Sequence, residues 1–414
     1  MREPTCFTFG IGLSALVLVL VLASAGSARA LVFEVFTKAD KADAVIDGVC
    51  ADVDGVCTLR AAIQEANAHP GEDIINIIGA KDQTFALKLV GANEDAAATG
   101  DLDITDDVII HGNQHAIITG KNDRVFQIFP GVNVDMEGVI VANGSTLTKA
   151  AVADPTTVEG GGILNAGHLI LNYCVIKGNK AQSDGGGIAN RGMLVMELTT
   201  VSTNKALADG GGLYNGAQVG GDTQASKVTF AKNQAGGRGG GVDNQHTVAL
   251  TNVTLSGNKA VADGGGLSNH DGGAATLQNV TVKGNQSKAK TVGGGIANGA
   301  ASTATLTNTL VDTNKPVNCA GTLTSGGGNV ENVATCGFGA GDIPNAGKLQ
   351  LKGLKVDKGF GVVATHELKA NSPAIDAGID VGGPEFDANF RSRIDVPNVG
   401  TGIWDSGAVE FQLP

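Results

Sequence analysis

Aromatic residues are scarce in this chain of 414 residues: one Trp, two Tyr and 13 Phe, 4% in all. A broad ring platform for stacking on sugars is therefore not expected. Basic residues are also few, with 29 Lys+Arg against 41 Asp+Glu and a net charge of −12. No basic face is available for a polyanion, which excludes nucleic acid as a partner and favours divalent cations. Beyond the N-terminal segment no run of 18 or more apolar residues occurs, so no membrane span is expected after leader removal. The glycines, 62 in number, lack the period of three that collagen requires. Disorder is also excluded, because 42% of residues are hydrophobic and only 17% are charged.

Residues 1–30 read as a signal peptide. Arg2 opens a short n-region, an apolar stretch runs from Ile11 to Ala23, and Ala28-Arg29-Ala30 is an A-x-A cleavage pattern. The stretch is short for an anchor, since a bilayer needs about 20 residues. Cleavage near Leu31 predicts a secreted or cell-surface protein. Export makes disulfides available to Cys50 with Cys57 and to Cys319 with Cys336, each pair closing a short loop rich in Gly, Asp and Asn. Neither pair has zinc-site spacing. Cys174, inside an apolar strand-like run, reads as a buried inert thiol.

The centre of the chain is a repeat. EGGGILN (159–165), DGGGIAN (184–190), DGGGLYN (209–215), RGGGVDN (238–244), DGGGLSN (263–269) and VGGGIAN (292–298) align directly. Their asparagines are Asn165, Asn190, Asn215, Asn244, Asn269 and Asn298. A second series, Asn179, Asn204, Asn233, Asn258, Asn285 and Asn314, closes each unit. Between them lie alternating runs such as HLILNYCVI and TVALTNVTL, rich in β-branched residues. Units this short cannot bury an apolar face alone, and stacking them gives a solenoid. The fold class expected is all-β, a right-handed parallel β-helix. Like amides would stack one rung apart into ladders, and the Gly-Gly-Gly corners would allow positive φ and close approach.

The organisation expected is an N-terminal cap over 31–100, the β-helix over 101–320 and an irregular C-terminal cap over 321–414. A short helix over 58–68 belongs to the first cap, with Leu59, Ala62, Ile63 and Ala66 at helical spacing. Pro373, Pro384, Pro397 and Pro414 mark the last region as irregular. Capping covers the open strand edges at both ends of the solenoid.

DGVCADVDGVCTLRAAIQEAN (47–67) resembles the CSLREA motif of exported bacterial proteins, with Thr58 and Ala61 where that family usually has Ser and Glu. NSPAIDAG (371–378) with GIWDSGAVEFQ (402–412) is similar to the choice-of-anchor Q domain, and the glycine-rich units resemble the repeats of chlamydial polymorphic membrane proteins. These resemblances imply a right-handed parallel β-helix with a surface or extracellular role, often adhesion.

The function expected is a non-catalytic exported β-helix that contacts polysaccharide or cell-surface components. The longer units, NGAQVGGDTQASK (215–227) and NHDGGAATLQN (269–279), carry insertions, which in repeat proteins tend to share one face. The alternative is a polysaccharide lyase or glycoside hydrolase, since parallel β-helices also carry pectate lyases and polygalacturonases. Hydrolysis needs paired carboxylates across the scissile bond. The acidic run Asp101, Asp103, Asp106 and Asp107 alternates with Leu102 and Ile104, which points its first two carboxylates to solvent. His246 and His270, one rung apart, read as ordinary loop histidines. No cofactor is required, but Asp184 and Asp209, at one corner of successive rungs, would stack about 5 Å apart and suit a calcium ion. Asp52-Val53-Asp54-Gly55 is a weaker calcium candidate.

Overall fold

The computed structural model describes residues 29–79, 82–91, 94–148, 155–216, 221–290, 292–356, 363–382, 385–393 and 404–411. Residues 1–28 of the expected leader, residues 217–220 of the longer unit 215–227, and Pro384, Pro397 and Pro414 lie outside them. The chain coils as a right-handed parallel β-solenoid of about eight turns. One rung shows the grammar: strands Ile163–Asn165, His168–Asn172, Val175–Lys177 and Lys180–Ala181, before the corner at Gly185 begins the next rung.

Within the regular repeats the strands pair in parallel with their counterparts a rung away, residue for residue. Ile188, Ala189 and Asn190 lie against Ile163, Leu164 and Asn165 on one side and against Leu213, Tyr214 and Asn215 on the other. Alternation then decides what enters the tube. Ile163, Ile188, Leu213, Val242, Leu267 and Ile296 form one fully buried file, and Ile176, Val201, Phe230, Leu255, Val282 and Val311 form another. Burying side chains of this size is worth about 1.5–3 kcal/mol each, and the repeat multiplies that gain.

The glycine triplet makes the corner possible. Gly185 has φ +66°, a left-handed conformation, and a Cβ on Gly186 would stand 2.4 Å from Gly211 O on the rung above. Both asparagine series are ladders. Asn165 Nδ2 donates to Asn190 Oδ1 at 2.7 Å, Asn190 to Asn215 at 2.9 Å, Asn215 to Asn244, Asn244 to Asn269 and Asn269 to Asn298 at 2.7 Å. In the other series Asn179 donates to Asn204, Asn204 to Asn233, Asn233 to Asn258, Asn258 to Asn285 and Asn285 to Asn314 at 3.0–3.1 Å. These amides are buried, so the ladder answers polar groups that would otherwise cost about 1–3 kcal/mol each.

The N-terminal end is covered by helix Leu59–Ala68, capped by Thr58, whose side chain accepts from Ala61 N. Arg60 is buried and bonds Asp40 at 2.7 Å and the carbonyls of Ala97, Gly100 and Asp101 at 2.8–3.1 Å, tying the helix to the first rungs. Disulfides join Cys50 to Cys57 beside this helix and Cys319 to Cys336 at the far end. Beyond the last rung the chain returns along one flank. Ala364 O accepts from Thr229 Oγ1 at 2.6 Å, His366 Nε2 meets Ser256 Oγ at 2.8 Å, and Ala408 N donates to Thr281 Oγ1 at 3.0 Å. This returning segment buries the outward side of strands Thr229–Ala231 and Thr254–Ser256.

One expectation is overturned here. Asp101 and Asp103 do not face solvent, being 4% and 0% exposed. The helix and the 94–100 segment cover their strand. Asn67 Nδ2 donates to Asp103 O, Ala97 N donates to Asp103 Oδ2 at 3.2 Å, and Arg124 Nε lies 3.2 Å from Asp101 Oδ2. Alternation tells which residues share a face and says nothing of what covers it.

Candidate functional site

The hydrogen bonds of the returning segment named above all reach the 19-stranded sheet, whereas the first asparagine ladder belongs to the nine-stranded sheet. Across it the residue before each ladder asparagine forms a file: Leu164, Ala189, Tyr214, Asp243, Ser268 and Ala297. The corner residues before the glycines form a second file, Glu159, Asp184, Asp209, Arg238 and Asp263.

Hydrogen bonds explain the corner acids. Asp184 Oδ1 accepts from Asp209 N at 2.8 Å and its Oδ2 from Ser183 Oγ at 2.8 Å, while Asp209 Oδ1 accepts from Arg238 N at 2.5 Å. Asp184 and Asp209 thus each hold the backbone of the next corner. Burial pushes the Asp184 carboxyl above its ordinary range. Glu159 pairs with Arg191 at 2.5 and 2.7 Å. Asp52, in the weaker calcium candidate, is likewise committed, accepting from Asp54 N and Val56 N at 2.9 and 3.0 Å.

The centre of the face is a pair that no repeat pattern links. Both Asp243 oxygens lie 3.0 Å from His270 Nε2, and His270 Nδ1 lies 2.8 Å from Asp271 Oδ2. Burial raises the Asp243 carboxyl to about 6, with the imidazole opposing the rise. Burial also works against the His270 charge, but Asp243 and then Asp271 outweigh it and raise the imidazole to about 9. At neutral pH the two form a charged pair. His270 is therefore not an ordinary loop histidine, whereas His246 sits half-exposed with Asp222 at 3.0 Å. Ligand atoms of Asp209, Asp243 and His270 all lie within 4.8 Å of one another. Asp184 stands outside that triad. The signal for Asp243 was in the repeat itself, as the carboxylate among the six residues that precede a ladder asparagine.

Beside the pair opens a groove of about 460 Å³, bordered by Arg238, Asp263, Ser268, His270, Asp271 and Ala301 among others. Arg238 Nη1 lies 3.4 Å from His270 Nδ1 and Arg238 Nε 3.8 Å from Asp263. The groove offers carboxylate and carbonyl acceptors with one guanidinium donor, a set suited to hydroxyl groups.

Elsewhere, Cys174 is free and buried, and burial pushes its thiol up to about 12. No helix among the described residues is long and apolar enough to cross a membrane.

Comparison with solved structures places the coil among known folds. The crystal structure of pectate lyase Pel9A is similar, with a TM-score of 0.51, covering 94% of this chain and 98% of that one. The fold is a pectate-lyase-like parallel β-helix. At 12% identity the likeness concerns the fold alone. No family model and no curated protein matches the chain.

Proposed function

We propose that this chain is an exported, non-catalytic β-helix that binds a neutral, hydroxyl-rich polysaccharide on the outward side of its ladder sheet. The observation that carries this reading is the groove of about 460 Å³ beside Arg238, Asp263, His270 and Asp271. Its size falls within the range of ligand sites, and it offers carboxylate acceptors beside a guanidinium donor, both of which sugar hydroxyls can engage. The surplus of carboxylates disfavours an acidic polymer. Export is supported by the leader pattern at 1–30 and by the two disulfides, which persist in oxidising compartments.

A polysaccharide lyase or hydrolase is the second reading, favoured by the guanidinium of Arg238 beside His270 and several carboxylates. Retention on immobilised cellulose, xylan, mannan and polygalacturonate, with an assay of released and unsaturated sugars, separates the two. Retention on a neutral polymer without product supports binding. Product from any polymer installs the second reading, and absence of both retention and product rejects the two together.

A further inference from the structure

We propose that Asp209, Asp243 and His270 form a site for a first-row divalent transition metal, of which zinc is the probe. Three successive rungs supply the ligands: Asp243 lies in strand Val242–Asn244, His270 directly follows strand Leu267–Asn269 paired with it, and Asp209 sits at the corner before strand Leu213–Asn215 on its other side. Two carboxylate oxygens and one imidazole nitrogen lie within 4.8 Å of one another. Tetrahedral zinc with bonds of about 2.0–2.2 Å sets ligand atoms about 3.3–3.6 Å apart, so side-chain rotations have to draw the widest pair in by about 1.2–1.5 Å.

A further feature points to a metal. Asp243 is fully buried, and its countercharge at neutral pH is the His270 imidazolium, whose Nε2 proton a bound ion would displace. The outer carboxylate of Asp271 holds His270 Nδ1 at 2.8 Å, which leaves Nε2 directed at Asp243. An imidazole clamped through one nitrogen by a carboxylate and directed with the other at a ligand set is the arrangement that surrounds metal-bound histidines. The donor set also selects the ion. Calcium takes six to eight oxygens, whereas mixed imidazole and carboxylate donors suit zinc and its neighbours. His270 borders the groove, so a bound ion keeps an open position towards it. Metal binding does not depend on the polysaccharide reading and is tested without any sugar.

The test is calorimetric titration of EDTA-stripped protein, carrying no histidine tag, with zinc chloride and separately with calcium chloride, followed by metal analysis after desalting. One zinc per chain is expected, bound at least tenfold more tightly than calcium. Asp209→Asn and His270→Gln should abolish stoichiometric retention, while Asp271→Asn, which keeps all three ligands, should weaken binding about 10–100-fold. Melting curves of the stripped variants confirm that each is folded. Absence of zinc from the wild-type protein overturns the proposal, as does equal binding by His270→Gln or tighter binding of calcium.

Discussion

Asn204 donates its side-chain amide to Asn233 Oδ1 at 3.1 Å, while Asn204 Oδ1 accepts both the backbone N–H and the side-chain amide of Asn179 at 3.0 Å. Its second amide hydrogen goes to Ile176 O at 2.9 Å. One side chain thus joins three rungs, its own and one on either side.

Asn204→Ala is expected to destabilise the protein by at least about 2 kcal/mol, since it orphans buried donors and acceptors above and below. Guanidinium unfolding followed by circular dichroism measures this. A midpoint like that of the wild type would mean the ladder contributes little.

Gly186→Ala should be still less tolerated, because its Cβ would meet backbone on the neighbouring rung at 2.4 Å. Gly339→Ala, with nothing within 4 Å of the added Cβ, should shift stability by less than about 0.5 kcal/mol. Thermal melts of the two variants side by side test the contrast. Equal losses would remove the steric explanation of the glycine triplets.

Asp103 links stability to pH. Burial, and then Asp101, raise its carboxyl to about 8, against an ordinary value of 3.8. The folded protein keeps this proton where the unfolded chain has released it, so stability from Asp103 is greatest at low pH and falls as pH rises from about 4 towards 8. Asp103→Asn, which stays neutral, should flatten that decline between pH 5 and pH 8. An unchanged slope in the variant would show that other groups carry it.

Cys174 should resist alkylation in the native protein at pH 8, since its thiol is buried and titrates at about 12. In a chain beginning at Leu31, mass spectrometry should find no label on native protein and one after denaturation without reductant. Rapid native labelling would contradict the packing of this strand.

Most of the solenoid was legible because it repeats. Glycine triplets, paired asparagines and alternating Val, Ile and Thr recur in register, and local chemistry dictates each of them. The neighbourhood of Asp101 and Asp103 was not legible, since what covers a strand comes from distant chain. The same holds for the pair of Asp243 and His270. They lie 27 residues apart and meet only once the rungs stack. Arg60 shows both sides: its helix could be read from spacing, but the three carbonyls it holds come from residues 97–101.

Blocking the groove tests the functional face most directly. Ala301 is exposed at the groove border, so Ala301→Trp fills it without entering the core, whereas Ala249→Trp alters the outward side of strand Thr247–Thr251. Affinity for the retained neutral polysaccharide should fall at least tenfold in Ala301→Trp and stay at the wild-type level in Ala249→Trp. Undiminished binding by Ala301→Trp, or its loss in Ala249→Trp alone, would place the binding face elsewhere on the coil.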